Sequence, residues 1–306
     1  MKLMTNPQEK ALNKISSIHS NEKSKAKGFF PKRKFSIQDI KKMLKNQKRI
    51  RPTIVSLIKT AKVIKAHDIK KDYRNKITLT EFERLKHYIM DDLGMDSFGV
   101  ATFEEHEIYK GDSIPYKNVI VMSRHMQNKT FVVNELPNMD CMLEVMKVYG
   151  DTGIASLKTT DFLREMNFGA VPNHSLGGNV DYTKAGFKAN LGFVGKHGML
   201  ITPHSGPCNR LSIVYTSIKN LNDFLENNDD HTWGNKFCEK CKKCVRTCPY
   251  DAIYETAKID INGHVECISN AKCNSGFSHY GCAICIAACP FTKVGYTKIK
   301  ERLIKE

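Results

Sequence analysis

The pattern of apolar and polar positions predicts alternating helices and short buried strands through the middle of the chain. Phe82, Leu85, Ile89 and Leu93 recur at helical spacing, and Gly94 closes the run. Thr80-Glu81-Phe82-Glu83 fits a capping box, with Thr80 as the cap and Glu83 reaching back. Short apolar stretches follow at Phe98–Phe103 and Asn118–Met122. The second contains Val119-Ile120-Val121-Met122 and reads as a buried strand. A longer helical pattern spans roughly Asp140–Arg164, interrupted by Gly150 and Gly153, and a further apolar stretch covers Leu211–Thr216. A polar linker at Asn220–Gly234 comes next. The alternation predicts an α/β layer domain over 81–230, followed by a separate module at 231–306.

Residues 1–80 read differently. They hold 22 Lys/Arg against 5 Asp/Glu, and residues 81–306 hold 26 against 27, so nearly all of the net charge of +16 lies in this extension. A disordered or solvated helical arm is expected over 1–50, with 53–66 apolar enough to pack on the body as a helix. Clustered cations can also bind nucleic acid or another anionic surface through residues 1–80, although no base-reading motif accompanies them. No apolar run is long enough to cross a bilayer, and the first residues carry no export signal. No membrane association and a cytoplasmic location are therefore expected.

The cysteines decide the chemistry. Nine of the 11 lie between Cys238 and Cys289, with only Cys141 and Cys208 outside, which is not the distribution of a disulfide scaffold. Cys238-x2-Cys241-x2-Cys244-x3-Cys248-Pro249 has the spacing of a bacterial ferredoxin motif, whose fourth cysteine ligates the other cluster. The proline after that cysteine suits the first turn of a helix. A related motif, Cys282-x2-Cys285-x3-Cys289-Pro290, follows. Crossing the two assigns Cys238, Cys241, Cys244 and Cys289 to one 4Fe–4S cluster. Cys248, Cys282 and Cys285 go to a second cluster, completed by Cys273 or, alternatively, by Cys267. Zinc sites also use C-x2-C pairs, but usually as two pairs or a cysteine–histidine mixture, and two Cys-x3-Cys-Pro endings in one span fit them poorly. Cys141 and Cys208 read as small buried hydrophobes.

The segment Ala189 to Pro203, followed by Gly206 to Leu211, resembles the A-G-L-G-x-x-G-[KR]-x-x-L-L-I strip shared by reductive dehalogenases and epoxyqueuosine reductases. Tyr149–Gly153 with Phe162–Ala170, and Gly281–Phe291, resemble two further blocks of that superfamily in the same order. Asn190 stands where the family pattern has glycine. The resemblance covers about residues 80–300 and implies an α+β fold: a nitroreductase-like α/β core with a C-terminal bacterial-ferredoxin-like two-cluster module. It also implies a cobalamin beside the nearer cluster, reducing a small organic substrate with electrons from a reduced ferredoxin- or flavodoxin-type donor. On this resemblance Gly192, Gly195, Lys196, Gly198 and Arg210 are candidates for binding the corrinoid, the small residues permitting close approach of a flat ligand. Tight packing of the glycines against the protein itself is the other reading. Asp181, Tyr182 and His197 are candidate proton donors, with Asp181 alternatively capping a turn and His197 alternatively structural. An electron carrier without corrinoid, and an RNA-associated base-modifying reductase, are the competing functions.

Overall fold

The computed structural model describes residues 6–28, 36–132, 135–225, 230–277 and 280–304. The chain opens with α1 (Pro7–Ile15), β1 (Ile18–His19), α2 (Ile37–Lys45) and α3 (Gln47–Lys65). Asn6 caps α1 by accepting from the Gln8 amide at 3.1 Å, with Pro7 in the first turn. Within this N-terminal region α1 and α3 pack on the body, while α2 leaves Ile37, Ile40 and Leu44 exposed. Leu12 and Ile64 are fully buried, in one apolar cluster with Val119, Val121, Ile213 and Tyr215. Gln8, also fully buried, donates to His174 O at 2.8 Å and accepts from the His174 amide at 3.0 Å. The lysine-rich composition hides this because few apolar residues do the covering. The helix expected over 53–66 forms as the larger part of α3.

Leu12→Ala should therefore cost about 2–5 kcal/mol. The check is a lower denaturant midpoint at unchanged slope; an unchanged midpoint would return α1 to solvent. Deleting residues 1–75 would remove core, so anion binding is better tested by reversing the exposed Lys41, Lys45 and Lys48.

The next elements are α4 (Leu79–His87), β2 (Ser97–Thr102), β3 (Ser113–Ile114), β4 (Asn118–His125), α5 (Met139–Glu165), β5 (Ala170–Asn173), α6 (Tyr182–Lys188), β6 (Phe193–Val194), β7 (Leu200–Ile201) and β8 (Asn209–Thr216). The capping box of α4 is Thr78 with Glu81, two residues before the expected Thr80–Glu83 pair. The earlier box wins because it brings a hydrophobic staple: Ile77 and Phe82, flanking the cap, share one buried cluster. A bidentate Arg74–Glu81 contact, at 2.7 and 3.1 Å, holds the same glutamate.

Four strands form a sheet in the order β2-β4-β8-β5, with every neighbour antiparallel. Side chains alternate along β4. Ile120 and Met122 face α4 and α5, and Val119 and Val121 face the side covered by α1 and α6. Both faces are covered, which explains the continuous apolar run. The mix of helix and antiparallel sheet is thus α+β, where the alternating pattern alone suggested a layered α/β domain. α5 runs uninterrupted through Gly150 and Gly153. A Cβ on Gly150 would stand 2.8 Å from Pro52 Cβ, and one on Gly153 would stand 2.4 Å from the His174 ring. The glycines let α3 and the β5 end pack closely on α5. Among the described residues no helix is long and apolar enough to cross a membrane.

The cysteine-rich part contains α7 (Thr232–Cys241), α8 (Lys243–Thr247), β9 (Ile253–Ile259), β10 (Val265–Ile268), α9 (Asn270–Ser275), α10 (Ile284–Ala288), α11 (Pro290–Lys293) and α12 (Tyr296–Ile304). Lys242, at φ +45°, turns the chain between α7 and α8. Cys289 precedes α11 with Pro290 in its first turn, as the motif leads one to expect. Cys248-Pro249 does not start a helix: the chain turns through Asp251, at φ +46°, into β9. Phe193 and Ile201 of the core share an apolar cluster with Phe291, Tyr296 and Ile299.

Candidate functional site

Thiols converge in two sets. Cys238, Cys241, Cys244 and Cys289 line one recess, together with His197, Phe237, Pro290 and Phe291. Burial is the first cause that raises the Cys238 thiol pKa to about 11, and repulsion from Cys244 and Cys241 adds to it. Burial also pushes Cys289 well up, assisted by Cys238, Cys244 and Cys241. Cys248, Cys273, Cys282 and Cys285 form the second set. Cys285 is pushed up to about 12 by burial, then by Cys282, Cys244, Cys273 and Cys248. The Cys244 interaction sets the two groups side by side. Mutual repulsion of this kind is relieved when thiolates share a metal centre and release their protons.

Cys273 belongs electrostatically to this second set, since Cys282 and Cys248 raise it after burial does. Cys267 is raised by burial, but its charged neighbours are Lys25, Lys196 and Asp181, with no cysteine among them. Spacing alone could not separate the two, because the β9–β10 hairpin carries Cys267 away from the thiols that follow it in sequence. Cys141 and Cys208 are both buried, as expected. The Cys141 thiol bonds Thr130 O, and the Cys208 thiol lies 3.7 Å from Thr292 Oγ1.

The glycine strip joins the core to the first thiol set. α6 ends in a Schellman motif, with the Leu191 amide on Gly186 O at 3.0 Å and the Asn190 amide on Phe187 O at 3.0 Å. Asn190 takes φ +54°, the left-handed conformation that explains the family's glycine there. Asparagine is among the few side chains that tolerate it. Beyond it, β6 and β7 form a tight hairpin, closed by Gly195 N on Met199 O at 3.0 Å and Gly198 N on Gly195 O at 2.8 Å. The strip is filled by the protein itself. A Cβ on Gly192 would stand 2.0 Å from Ile201 O, and one on Gly195 would stand 2.7 Å from Ile201 Cδ1 and 2.9 Å from the His197 ring. Gly198 faces Cys267 Cβ at 3.4 Å. Lys196 Nζ donates to Glu255 O at 2.6 Å, and Arg210 lies over the Tyr149 ring at 5.1 Å. These five residues do not form an open cradle for a flat macrocycle, contrary to the reading of the glycines as ligand approach.

The three proton-donor candidates separate. The Asp181 carboxylate caps α6, accepting from the Thr183 and Lys184 amides at 2.8 and 3.2 Å. The Tyr182 hydroxyl lies within hydrogen-bond reach of Asn173 Oδ1 and, at 3.1 Å, of His174 O, and burial holds its pKa well above the ordinary value. His197 is 3% exposed, and burial lowers its pKa to about 4, so the ring is neutral. Its Nδ1 accepts from the Met199 amide at 3.2 Å.

A further convergence was not visible in the sequence. Asp96 Oδ1 lies 3.0 Å from His125 Nδ1 and 3.3 Å from His204 Nε2. Their ligand atoms all fall within 4.8 Å, as a metal site would require. Arg124 Nη1, however, stands 3.5 Å from the same oxygen, and its fixed charge competes with any cation. The group works as a clasp holding the 202–206 turn against the ends of β2 and β4.

Comparison with known proteins follows the same lines. The 4Fe-4S binding domain model matches residues 232–254. The tetrachloroethene reductive dehalogenase of Dehalobacter restrictus is 29% identical over 218 residues, covering 66% of this chain and 37% of that protein. That of Sulfurospirillum multivorans is 28% identical, covering 58% of this chain and 36% of that protein. An epoxyqueuosine reductase from Lactococcus garvieae is 28% identical over 117 residues, or 35% of this chain and 30% of that protein. The chain thus spans little more than a third of the length of the dehalogenases it matches. Among solved structures, a catabolic reductive dehalogenase in complex with 3-bromo-4-hydroxybenzoic acid superposes with a TM-score of 0.59 at 21% identity, over 73% of this chain and 32% of that one. The homologues of this chain are reductive dehalogenases and epoxyqueuosine reductases.

Proposed function

We propose that this homologue of the reductive dehalogenases and epoxyqueuosine reductases is an iron–sulfur reductase holding two 4Fe–4S clusters. The observation that carries the reading is the pair of adjacent four-thiol sets. Cys238, Cys241, Cys244 and Cys289 would hold one cluster, and Cys248, Cys273, Cys282 and Cys285 the other. Each cluster, when bound, supplies one-electron storage at low potential. The chain's own residues hold the clusters, and Phe237 and Phe291, edge to face at 5.2 Å, exclude water from the first. Electrons would enter from a reduced ferredoxin- or flavodoxin-type donor and leave toward a small organic substrate.

Homology makes a corrinoid the proposed final carrier on a nitroreductase-like core. The glycine strip does not support a direct role in holding it, so no step is derived through that group. None of the three candidates is assigned as proton donor: the Asp181 carboxylate is engaged as the cap of α6, the Tyr182 hydroxyl by Asn173 and His174, and His197 is a buried neutral ring. The same closed strip favours a second reading, an electron carrier without corrinoid.

Metal analysis of protein purified without oxygen and reconstituted with iron, sulfide and cobalamin separates these readings. Roughly eight irons per chain with stoichiometric cobalt is the result expected of the reductase. The same iron without cobalt supports the carrier, and zinc in place of iron would overturn both.

A further inference from the structure

The β6–β7 turn presents two hydrogen-bond donors to the first thiol set. One is the backbone amide of Lys196, which bonds the Cys238 sulfur and opposes the burial that raises this thiol. The other belongs to His197. Its Nδ1 accepts the Met199 amide, so in the neutral ring the proton sits on Nε2. That N–H is buried and has no hydrogen-bond partner among the described residues. The ring forms part of the wall of the cavity lined by Cys238, Cys241, Cys244 and Cys289. Gly195 makes the placement possible, because a Cβ there would stand 2.9 Å from His197 Cε1. A buried N–H without a partner is costly, which requires an explanation.

We propose that His197 is a positioning and tuning residue for the first cluster: its Nε2–H, alongside the Lys196 amide, donates to a sulfur of that cluster and raises its reduction potential. This rests on the cluster reading above. The physical basis is electrostatic. Reduction adds one negative charge to the cluster, the charge spreads onto the sulfurs, and a fixed donor stabilises the reduced form more than the oxidised one. The electron comes from the external donor, and no proton leaves the imidazole.

The test is an EPR-monitored redox titration of the full, reconstituted chain, wild type against His197→Phe and His197→Gln. Phe fills the space without a donor, and Gln restores an N–H. One cluster in His197→Phe should become harder to reduce by roughly tenfold in its equilibrium constant, about 59 mV for one electron. The other cluster should keep its potential, and His197→Gln should recover part of the shift. Should His197→Phe fail to load iron, pulsed EPR of the reduced wild-type protein labelled with 15N-histidine gives the answer directly. Coupling of an imidazole nitrogen to one cluster is expected, and its absence would overturn the assignment. Unmoved potentials in a fully loaded His197→Phe protein would overturn it equally. A wild-type chain that binds no iron would instead bring down the cluster reading itself, and this inference with it.

Discussion

Replacing Cys273 with serine should cut bound iron from roughly eight atoms per chain to roughly four, while Cys267→Ser leaves it at roughly eight. The two cysteines are six positions apart, and both lie between the ferredoxin-like motifs. They differ in company. Cys273 interacts with Cys248 and Cys282, and Cys285 interacts with all three, whereas Cys267 sits among Lys25, Lys196 and Asp181. Removing one thiolate of four leaves the cubane held by three, and in a partly exposed site such a cluster is expected to be lost whole. Iron and sulfide determination after anaerobic reconstitution, with EPR to count the clusters, reads the outcome. Loss of a cluster in Cys267→Ser with retention in Cys273→Ser would reverse the assignment.

Gly192→Ala should destabilise the chain by about 3 kcal/mol or more, with or without metal. The added Cβ would meet Ile201 O at 2.0 Å and Thr202 Cα at 3.1 Å. These are backbone atoms of the strand that pairs with β6, so relief requires moving the hairpin itself. The φ of +155° adds a second penalty. The result distinguishes two reasons for a glycine at this place. A ligand cradle would lose cofactor and keep the stability of the metal-free chain, while a packing site loses that stability. Denaturant midpoints of the metal-free wild type and variant decide it, and equal midpoints would restore the cradle.

The parts of this molecule written as local pattern could be read before the fold was known. The strand at Asn118–Met122 follows from a run of β-branched residues that pack on both faces of a covered sheet. The first thiol set follows from the crossing rule of the ferredoxin motif, and the structure brings its four members to one cavity. Other features depend on partners distant in sequence. Gly150 and Gly153 look like helix breakers until α3 and His174 are seen against them. Thr78 and Thr80 offer equal capping boxes, and only the burial of Ile77 beside Phe82 separates them. Leu12 carries core weight inside a lysine-rich stretch because the sheet face it covers is formed some hundred residues later. Asp96, His125 and His204 come from three separate elements, and no spacing rule could have grouped them.

The position of Cys289 among Cys238, Cys241 and Cys244 has a consequence for the life of the polypeptide on the ribosome. With the proposed pairing, the first motif emerges with three of its ligands and waits 45 residues, from Cys244 to Cys289, for the fourth, roughly several seconds at ordinary synthesis rates. The second set cannot close earlier, because Cys282 and Cys285 lie in the same late segment. Neither centre can be finished during translation of its own loop. Both are completed by one short stretch, so a chain truncated before it would carry exposed, half-ligated thiolates and be a ready target for oxidation. On the proposed pairing, cluster insertion would be a late, joint event, with the final helices as its latch.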